Sequence, residues 1–434
     1  MKRNKNAATP GILPALRRTA AYLKKSLPLI IVALVLAMLG TALTIVGPGQ
    51  IGKIAALISD GLGGTIDLAA VARIGVLLVA VYALSALCTF MQHYLMADVT
   101  LKMSYQMRGE LSRKINVVPQ KYFNFHAQGD ILSRITNDVS TLQQGLTNAL
   151  PTVISAGTQF VGCVVMMLLT EWRLALAALL VTLVGLIAAG VVMLRSQKYF
   201  AARQTALGEL GGYIEEMYSG HTVVRLSRAE APVGAAFDSL NAAVYDANWR
   251  SQFLSGIMQP MITVVSNVAY VAVCVLGAAM ALAGTIGFDV IVSFILYVRL
   301  VTTPLGQIAQ GLTNLQTASA SAHRIFEFLQ TEELPDEEKL PEKVNIGRGA
   351  VSFRHVQFRY PDAPDKPIIR DFSAEVQPGQ KVAIVGPTGA GKTTMVNLLM
   401  RFYDLTGGEI LIDGENLADI PRHQVHSLFG MVLQ

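Results

Sequence analysis

Gly386-Pro387-Thr388-Gly389-Ala390-Gly391-Lys392-Thr393-Thr394 fits the pattern G-x-x-x-x-G-K-[ST]. The apolar run Val382-Ala383-Ile384-Val385 precedes it and reads as a buried strand. Thr393 to Met400 follows it and reads as a helix. A strand, a glycine-rich turn and a helix start form a phosphate-cradling loop. Glycines let the backbone approach an anion closely, and consecutive N–H groups point inward at the helix N-terminus. In this pattern Lys392 reaches terminal phosphates and Thr393 offers its hydroxyl to Mg²⁺. The stretch therefore predicts ATP or GTP binding. What the nucleotide drives must be read from the rest of the chain.

Upstream, the character of the chain is different. Of 434 residues, 52% are hydrophobic and only 15% charged, and the mean hydropathy is +0.45. This is too apolar for an ordinary soluble protein. Six apolar runs are long enough to cross a bilayer, which takes about 20 residues: Leu27 to Val46, Ile74 to Met96, Leu150 to Leu169, Leu174 to Leu194, Met261 to Ala283 and Val290 to Ile308. The first run lacks a small-residue cleavage site and reads as a retained membrane helix. Cys88, Cys163 and Cys274 all lie within apolar runs and read as packing residues, with no metal-ligand spacing.

Lys and Arg are unevenly placed between the runs. They gather in the N-terminal segment (Lys2 to Lys25), between runs two and three (Lys102, Arg108, Arg113, Lys114, Lys121, Arg134), and between runs four and five (Arg195, Lys198, Arg203, Arg225, Arg228, Arg250). Positive segments stay cytoplasmic, so both termini are expected there. The two inner segments are long yet keep helical periodicity, for example Ile131, Ile135, Val139 and Leu142. The spans are thus expected to continue as helices beyond the bilayer, turning at tips within Pro119 to Asp130 and Ser219 to Glu230. Arg299 stands inside the sixth run, before Pro304 and Gly306. It reads either as a cavity-lining or gating residue, or as a charge that snorkels or makes a structural pair.

After Leu329 an acidic, proline-bearing stretch reads as a linker, and from Ala350 short β-type runs begin: Val351 to Phe353, Val356 to Tyr360, Phe372 to Val376 and Glu409 to Ile412, the last followed by the turn Asp413-Gly414. The fold class expected is an all-α membrane domain of six helices with long cytoplasmic extensions, followed by the start of an α/β nucleotide-binding domain. The expected boundaries are 1–26 for a cytoplasmic N-terminal segment, 27–330 for the membrane domain, 331–347 for the linker and 348–434 for the nucleotide-binding part.

Six spans followed by a phosphate-loop domain resemble the ABC exporter family, in particular half-transporters of the B-subfamily type. Several stretches carry the resemblance beyond the phosphate loop. Pro119 to Phe123, Gly129 to Arg134 and Asn137-Asp138-Val139 look like the family's first coupling region, and Gly220 to Arg225 like the second. Gly408-Glu409-Ile410 through Asp413-Gly414 matches the segment after the phosphate-loop helix. The resemblance implies that Tyr360 stacks on adenine. It implies that Gly386, Gly389, Ala390, Gly391, Lys392, Thr393 and Thr394 hold the phosphates, and that Thr393 and Gln434, the latter matching the Q-loop glutamine, contact Mg²⁺. The family's signature, second aspartate motif, catalytic glutamate and switch histidine have no counterpart in the sequence, which reads as truncated at the Q-loop, with no catalytic residue of its own and no ATPase activity expected from it alone.

Implied with the family are ATP and Mg²⁺, a second half-transporter (homodimer or heterodimer), a lipid bilayer, bacterial inner membrane by preference, and a small hydrophobic substrate such as a drug, lipid or peptide. No nucleic-acid partner is expected. An ATP-gated channel or receptor on the same scaffold is the alternative. A membrane-tethered kinase or GTPase fails on Tyr360 and the coupling stretches.

Overall fold

The computed structural model describes residues 12–62, 65–337, 340–343, 346–361 and 363–432. Residues 1–11 of the basic N-terminal segment and the Q-loop candidate Gln434 lie outside the described residues. Helix α1 covers Ile12–Leu23, α2 Leu27–Gly61, α3 Leu68–Val117, α4 Gln120–Phe125 and α5 Gln128–Thr170. Then follow α6 (Trp172–Ser219), α7 (His221–Leu226), α8 (Glu230–Leu282) and α9 (Phe288–Leu329). Among the described residues, six helices are long and apolar enough to cross a membrane. They are α2, α3, α5, α6, α8 and α9, each containing one of the six apolar runs (the fifth run's final residue, Ala283, is the cap of α8).

The helices greatly outrun the bilayer. Helices α3, α6 and α8 have 50, 48 and 53 residues, roughly 75 Å each at 1.5 Å per residue. A hydrocarbon core is about 30 Å thick, so most of their length lies outside it, as the periodicity of the inner segments predicts. The two predicted tips contain the short helices α4 and α7. On the opposite side the chain reverses quickly. Helix α5 ends at Thr170 and α6 begins at Trp172; Glu171 between them is extended and its carboxylate accepts from the Arg173 N–H at 3.3 Å. That bond caps a helix start whose N–H groups lack partners. Helix α5 also holds two π-helical segments, Arg134–Asp138 and Gly145–Ala149. The second ends two residues before Pro151, whose missing N–H breaks the regular ladder.

Leu23–Thr100 and Gln144–Gln316 make one compact unit. Its core gathers Cys163, Met167, Leu174, Ala178, Ala269, Phe294, Tyr297 and Val298, all essentially inaccessible. Small residues permit close helix approach. A Cβ on Gly52 would fall 2.1 Å from Ser293 Oγ, and that hydroxyl lies 3.2 Å from the Pro48 carbonyl. Val76, Val79, Leu84 and Phe90 face outward, where a bilayer solvates them. All three cysteines are free thiols, with Cys163 fully buried, in keeping with packing roles.

The second unit comprises residues 1–22, 101–143 and 317–434. Here strands β1 (Val351–Phe358), β2 (Ile369–Val376), β3 (Gly407–Ile412) and β4 (Glu415–Asn416) form an antiparallel sheet in the order β2-β1-β3-β4. Helices α10 (Lys392–Leu399) and α11 (Arg422–Leu428) complete it. Phe353, Val356, Phe358, Ile369, Met395, Leu398, Ile410 and Ile412 pack as its core. Asp413 and Gly414 both take positive φ, 50° and 89°, as a two-residue hairpin turn of type I′ demands.

One expectation fails. Val382 to Val385 forms no strand and is exposed, Val385 by 86%. A strand must share its backbone ladder with a neighbour. Among the described residues no strand runs beside this stretch, whereas β1 to β4 all find partners close in sequence or across β1.

Candidate nucleotide-binding site

The glycine-rich loop bends as its composition requires. Gly389 and Gly391 have φ of 85° and 89°, a region side chains other than glycine's enter at a cost. A Cβ at Gly389 would meet nothing within 4 Å, so the demand there is conformational; at Gly391 it would also approach Ile368 at 3.1 Å. Gly386 lies under Ala390, whose Cβ is 3.1 Å from where its own would be. Gly391 is the N-cap of α10 and makes no side-chain cap bond. The N–H groups of the first helical turn therefore open onto the loop, as an anion-binding helix start requires.

Lys392 opens α10. Its ammonium donates to the Gly386 carbonyl at 2.8 Å and the Pro387 carbonyl at 2.9 Å. The loop thus folds around the lysine head and holds its charge at the loop's mouth. Thr393 is exposed beside it, whereas Thr394 is buried. The two neighbouring threonines point to opposite surroundings because successive helical residues are separated by about 100°.

Thr394 Oγ1 and the Tyr360 hydroxyl lie 3.0 Å apart. Tyr360 meets Phe358 edge-on, with ring centroids 5.0 Å apart, and Tyr403 likewise at 5.2 Å. Tyr360 is therefore brought to the first turn of α10, next to the phosphate loop, with one ring edge held by aromatic packing. The glycines, Lys392, the threonines and Tyr360 all converge.

Two residues that the motif left unnamed extend this cluster. Asn124, on α4 at the first tip, donates from Nδ2 to the Tyr403 hydroxyl at 2.7 Å. Gln120, Asn124, Tyr360, Asn397, Met400 and Tyr403 line one groove. Contact thus runs from Thr394 through Tyr360 and Tyr403 to α4. Tyr403 sits in an irregular stretch after α10, where no periodicity marks it out. The only sequence hint was the aromatic pair Phe402-Tyr403 so soon after a helix. Of the second coupling stretch, Val223 on α7 is 65% exposed.

The loop suits phosphate: it combines left-handed glycines, an uncapped helix start and a lysine head already held by oxygen acceptors. Among the described residues no cluster of His, Cys, Asp or Glu could hold a metal by itself. A cation here would have to share its shell between the Thr393 hydroxyl and the phosphates.

Two family models match the chain. The family model described as ABC transporter transmembrane region matches residues 30–305, and the model described as ABC transporter matches residues 369–434. A fatty acid ABC transporter ATP-binding/permease protein of Mycobacterium bovis is 40% identical over 373 residues, 86% of this chain and 58% of that protein. An uncharacterized ABC transporter ATP-binding protein of Bacillus subtilis is 32% identical over 435 residues, all of this chain and 70% of that protein. An ATP-dependent lipid A-core flippase of Pseudomonas aeruginosa is 29% identical over 368 residues, 85% of this chain and 60% of that protein. The chain thus spans 58% to 70% of the length of these relatives.

Proposed function

The chain belongs to the ABC transporter family, and on that premise we propose that it is the membrane and ATP-binding part of an exporter half that moves hydrophobic compounds outward across the plasma membrane. The observation that carries this reading is the contact from Thr394 through Tyr360 and Tyr403 to Asn124. It joins the nucleotide loop to the tip between the second and third membrane helices, so a change at the loop has a packed route into those helices. Relatives named for fatty acid transport, lipid A flipping and multidrug resistance support an amphiphilic or apolar substrate. No observation favours the channel alternative.

In this reading residues 27–330 form the membrane domain, 331–347 the linker and 348–434 part of the nucleotide domain, with both termini cytoplasmic. Tyr360 offers a ring to adenine. Gly386, Gly389, Ala390 and Gly391 shape the loop, and the N–H groups at the start of α10 face the phosphates. Lys392 exchanges its carbonyl acceptors for terminal phosphate oxygens, and Thr394 keeps Tyr360 in place. Thr393, with Gln434, would hold Mg²⁺, which when bound would neutralise phosphate charge. A second half-transporter, identical or not, completes the assembly.

The test is transport by the whole protein in liposomes. ATP-dependent, one-way movement of a fluorescent lipid or drug is expected, abolished by Lys392→Ala. Ohmic current without net accumulation would favour the channel and overturn the exporter.

A further inference from the structure

Helices α8 and α9 line an open cavity of about 670 Å³ within the membrane unit. Its α9 wall carries Arg299, Thr302, Thr303, Gly306 and Gln307, and its α8 wall carries Thr263, Ser266 and Asn267. The α9 residues follow the i, i+3, i+4, i+7, i+8 spacing of one helix face. The polar side chains are thus concentrated on facing stripes of the two helices, within runs (Met261 to Ala283 and Val290 to Ile308) that are otherwise mostly apolar. Arg299 lies eleven residues after Phe288, roughly 16 Å along the axis at 1.5 Å per residue. That is about half the hydrocarbon thickness of a bilayer.

Arg299 is exposed to the cavity side, and among the described residues its guanidinium has neither a carboxylate nor a hydrogen-bond acceptor. Among the described residues no Asp or Glu lines the cavity. The neighbouring hydroxyls do not supply a countercharge: Thr302 Oγ1 donates to the Val298 carbonyl at 3.1 Å, and Thr303 Oγ1 reaches the Arg299 carbonyl at 3.4 Å. Their protons are turned to the helix backbone. Gly306 leaves the floor open, since a Cβ there would meet nothing within 4 Å. An unpaired guanidinium at such depth is costly and marks a ligand or ion pathway. A guanidinium presents a planar fork matched to carboxylate or phosphate oxygens, and side-chain amides at Asn267 and Gln307 add donors around it.

We propose that Arg299, with Asn267 and Gln307, is a headgroup receptor that selects amphiphiles carrying a carboxylate or phosphate on an apolar chain. The claim deepens the export reading, because it names a substrate class for the same cavity, but it concerns binding and stands without ATP. The anion satisfies Arg299, and the tail lies along the Leu-, Val- and Met-rich helix surfaces.

The experiment is equilibrium binding to the purified chain of residues 1–434 in nanodiscs of zwitterionic lipid, without nucleotide. The probes are oleate, oleyl phosphate, oleyl alcohol, and tail-less acetate and inorganic phosphate. Oleate and oleyl phosphate should bind roughly tenfold more tightly than oleyl alcohol, about 1.4 kcal/mol. Arg299→Gln should erase that preference while leaving oleyl alcohol unchanged, which also shows that the variant is folded. Arg299→Lys should keep part of it. Tail-less anions should not compete at equal concentration; if they do, the site is for free anions and the amphiphile claim fails. Equal binding of oleate and oleyl alcohol, an unaltered preference in Arg299→Gln, or no binding of any probe overturns the proposal. If the anion preference persists but the whole protein shows no ATP-driven transport, the export reading falls and the receptor stands.

Discussion

Lys392→Ala should weaken ATP binding while sparing AMP. The lysine head has two neutral acceptors, the carbonyls of Gly386 and Pro387 at 2.8 and 2.9 Å. Binding replaces these with phosphate oxygens. A hydrogen bond between neutral groups nets about 1 kcal/mol and one to a charged group about 1.5–3 kcal/mol. Two such exchanges give on the order of 1–4 kcal/mol. The side chain is only half-buried, and solvent screening moves the figure to the lower end. A loss of about 1.5 kcal/mol is roughly tenfold in Kd. AMP lacks the phosphates that Lys392 reaches, so its affinity should hold. The assay is titration of purified residues 1–434 with ATP, ADP and AMP, each monitored against a matched unfolding curve. Tyr360→Ala is the companion, and it should weaken all three nucleotides equally because adenine is common to them. An equal loss for ATP and AMP in Lys392→Ala, or no loss for ATP, would show that the ammonium does not meet the terminal phosphates.

Three further outcomes concern the second unit. In a double-mutant cycle, Asn124→Ala and Tyr403→Phe should couple by about 0.5–1.5 kcal/mol in unfolding midpoints, the worth of one hydrogen bond; additive effects would mean the 2.7 Å contact carries no energy. Glu337 lies 13% exposed between Arg401 and Arg422, so Glu337→Ala removes their buried carboxylate, leaves them only the exposed Asp404, and should cost about 3 kcal/mol in urea unfolding; a cost within error of zero would refute it. Burial pushes the Asp413 carboxyl up, but N–H donation from Ala350, Gly347, Arg348 and Gly349 outweighs this and holds it below the usual range. Its stabilisation is therefore complete above the unfolded value, about 4, and lost as pH falls through the lower folded one. Asp413→Asn should flatten that acid limb in thermal melts, and an unchanged limb would assign the acid loss elsewhere.

The membrane part was legible because its signals are redundant. Each spanning helix needs some twenty apolar residues in a row, and nothing soluble imitates six such runs. The inner extensions were legible from periodicity alone. The Asp413-Gly414 turn and Gly389 and Gly391 were also readable, since their conformations exclude most other residues. What failed was the Val382 to Val385 strand. Its apolar composition describes a fully buried strand, but burial comes from neighbouring strands and not from the segment itself. The sequence could say that the stretch is fit for a sheet interior and could not supply its partners. Tyr403 and Asn124 escaped for a related reason. Their importance lies in meeting each other across 279 positions, and a lone tyrosine after a helix has no local pattern to betray that.

The uneven placement of Lys and Arg has a second consequence. Lys114, Lys121 and Arg134 were read as cytoplasmic markers, and in the second unit they also find acids. Lys114 pairs with Glu333 at 2.6 Å, Lys121 with Glu332 at 2.8 Å, and Arg134 with Asp130 at 3.0 Å and Glu327 at 3.7 Å. Asp138 receives Arg324 from the opposite direction, with Nε at 2.8 Å. The Leu334 N–H donates to the Val117 carbonyl at 2.7 Å. The exposed pairs among these are worth little. Lys114 and Arg134 are different, with side chains only 6% and 7% exposed. Breaking either leaves a charge without water. The acidic stretch after α9 is thus fastened to the end of α3 by the buried Lys114, and the end of α9 to the start of α5 by the buried Arg134, while Asn124 and Tyr403 fasten α4 to the nucleotide segment. Two independent attachments to neighbouring elements resist rotation as well as separation. A shift of the nucleotide segment is therefore passed to the first tip as movement of a clamped body, which a single hinge-like contact could not do.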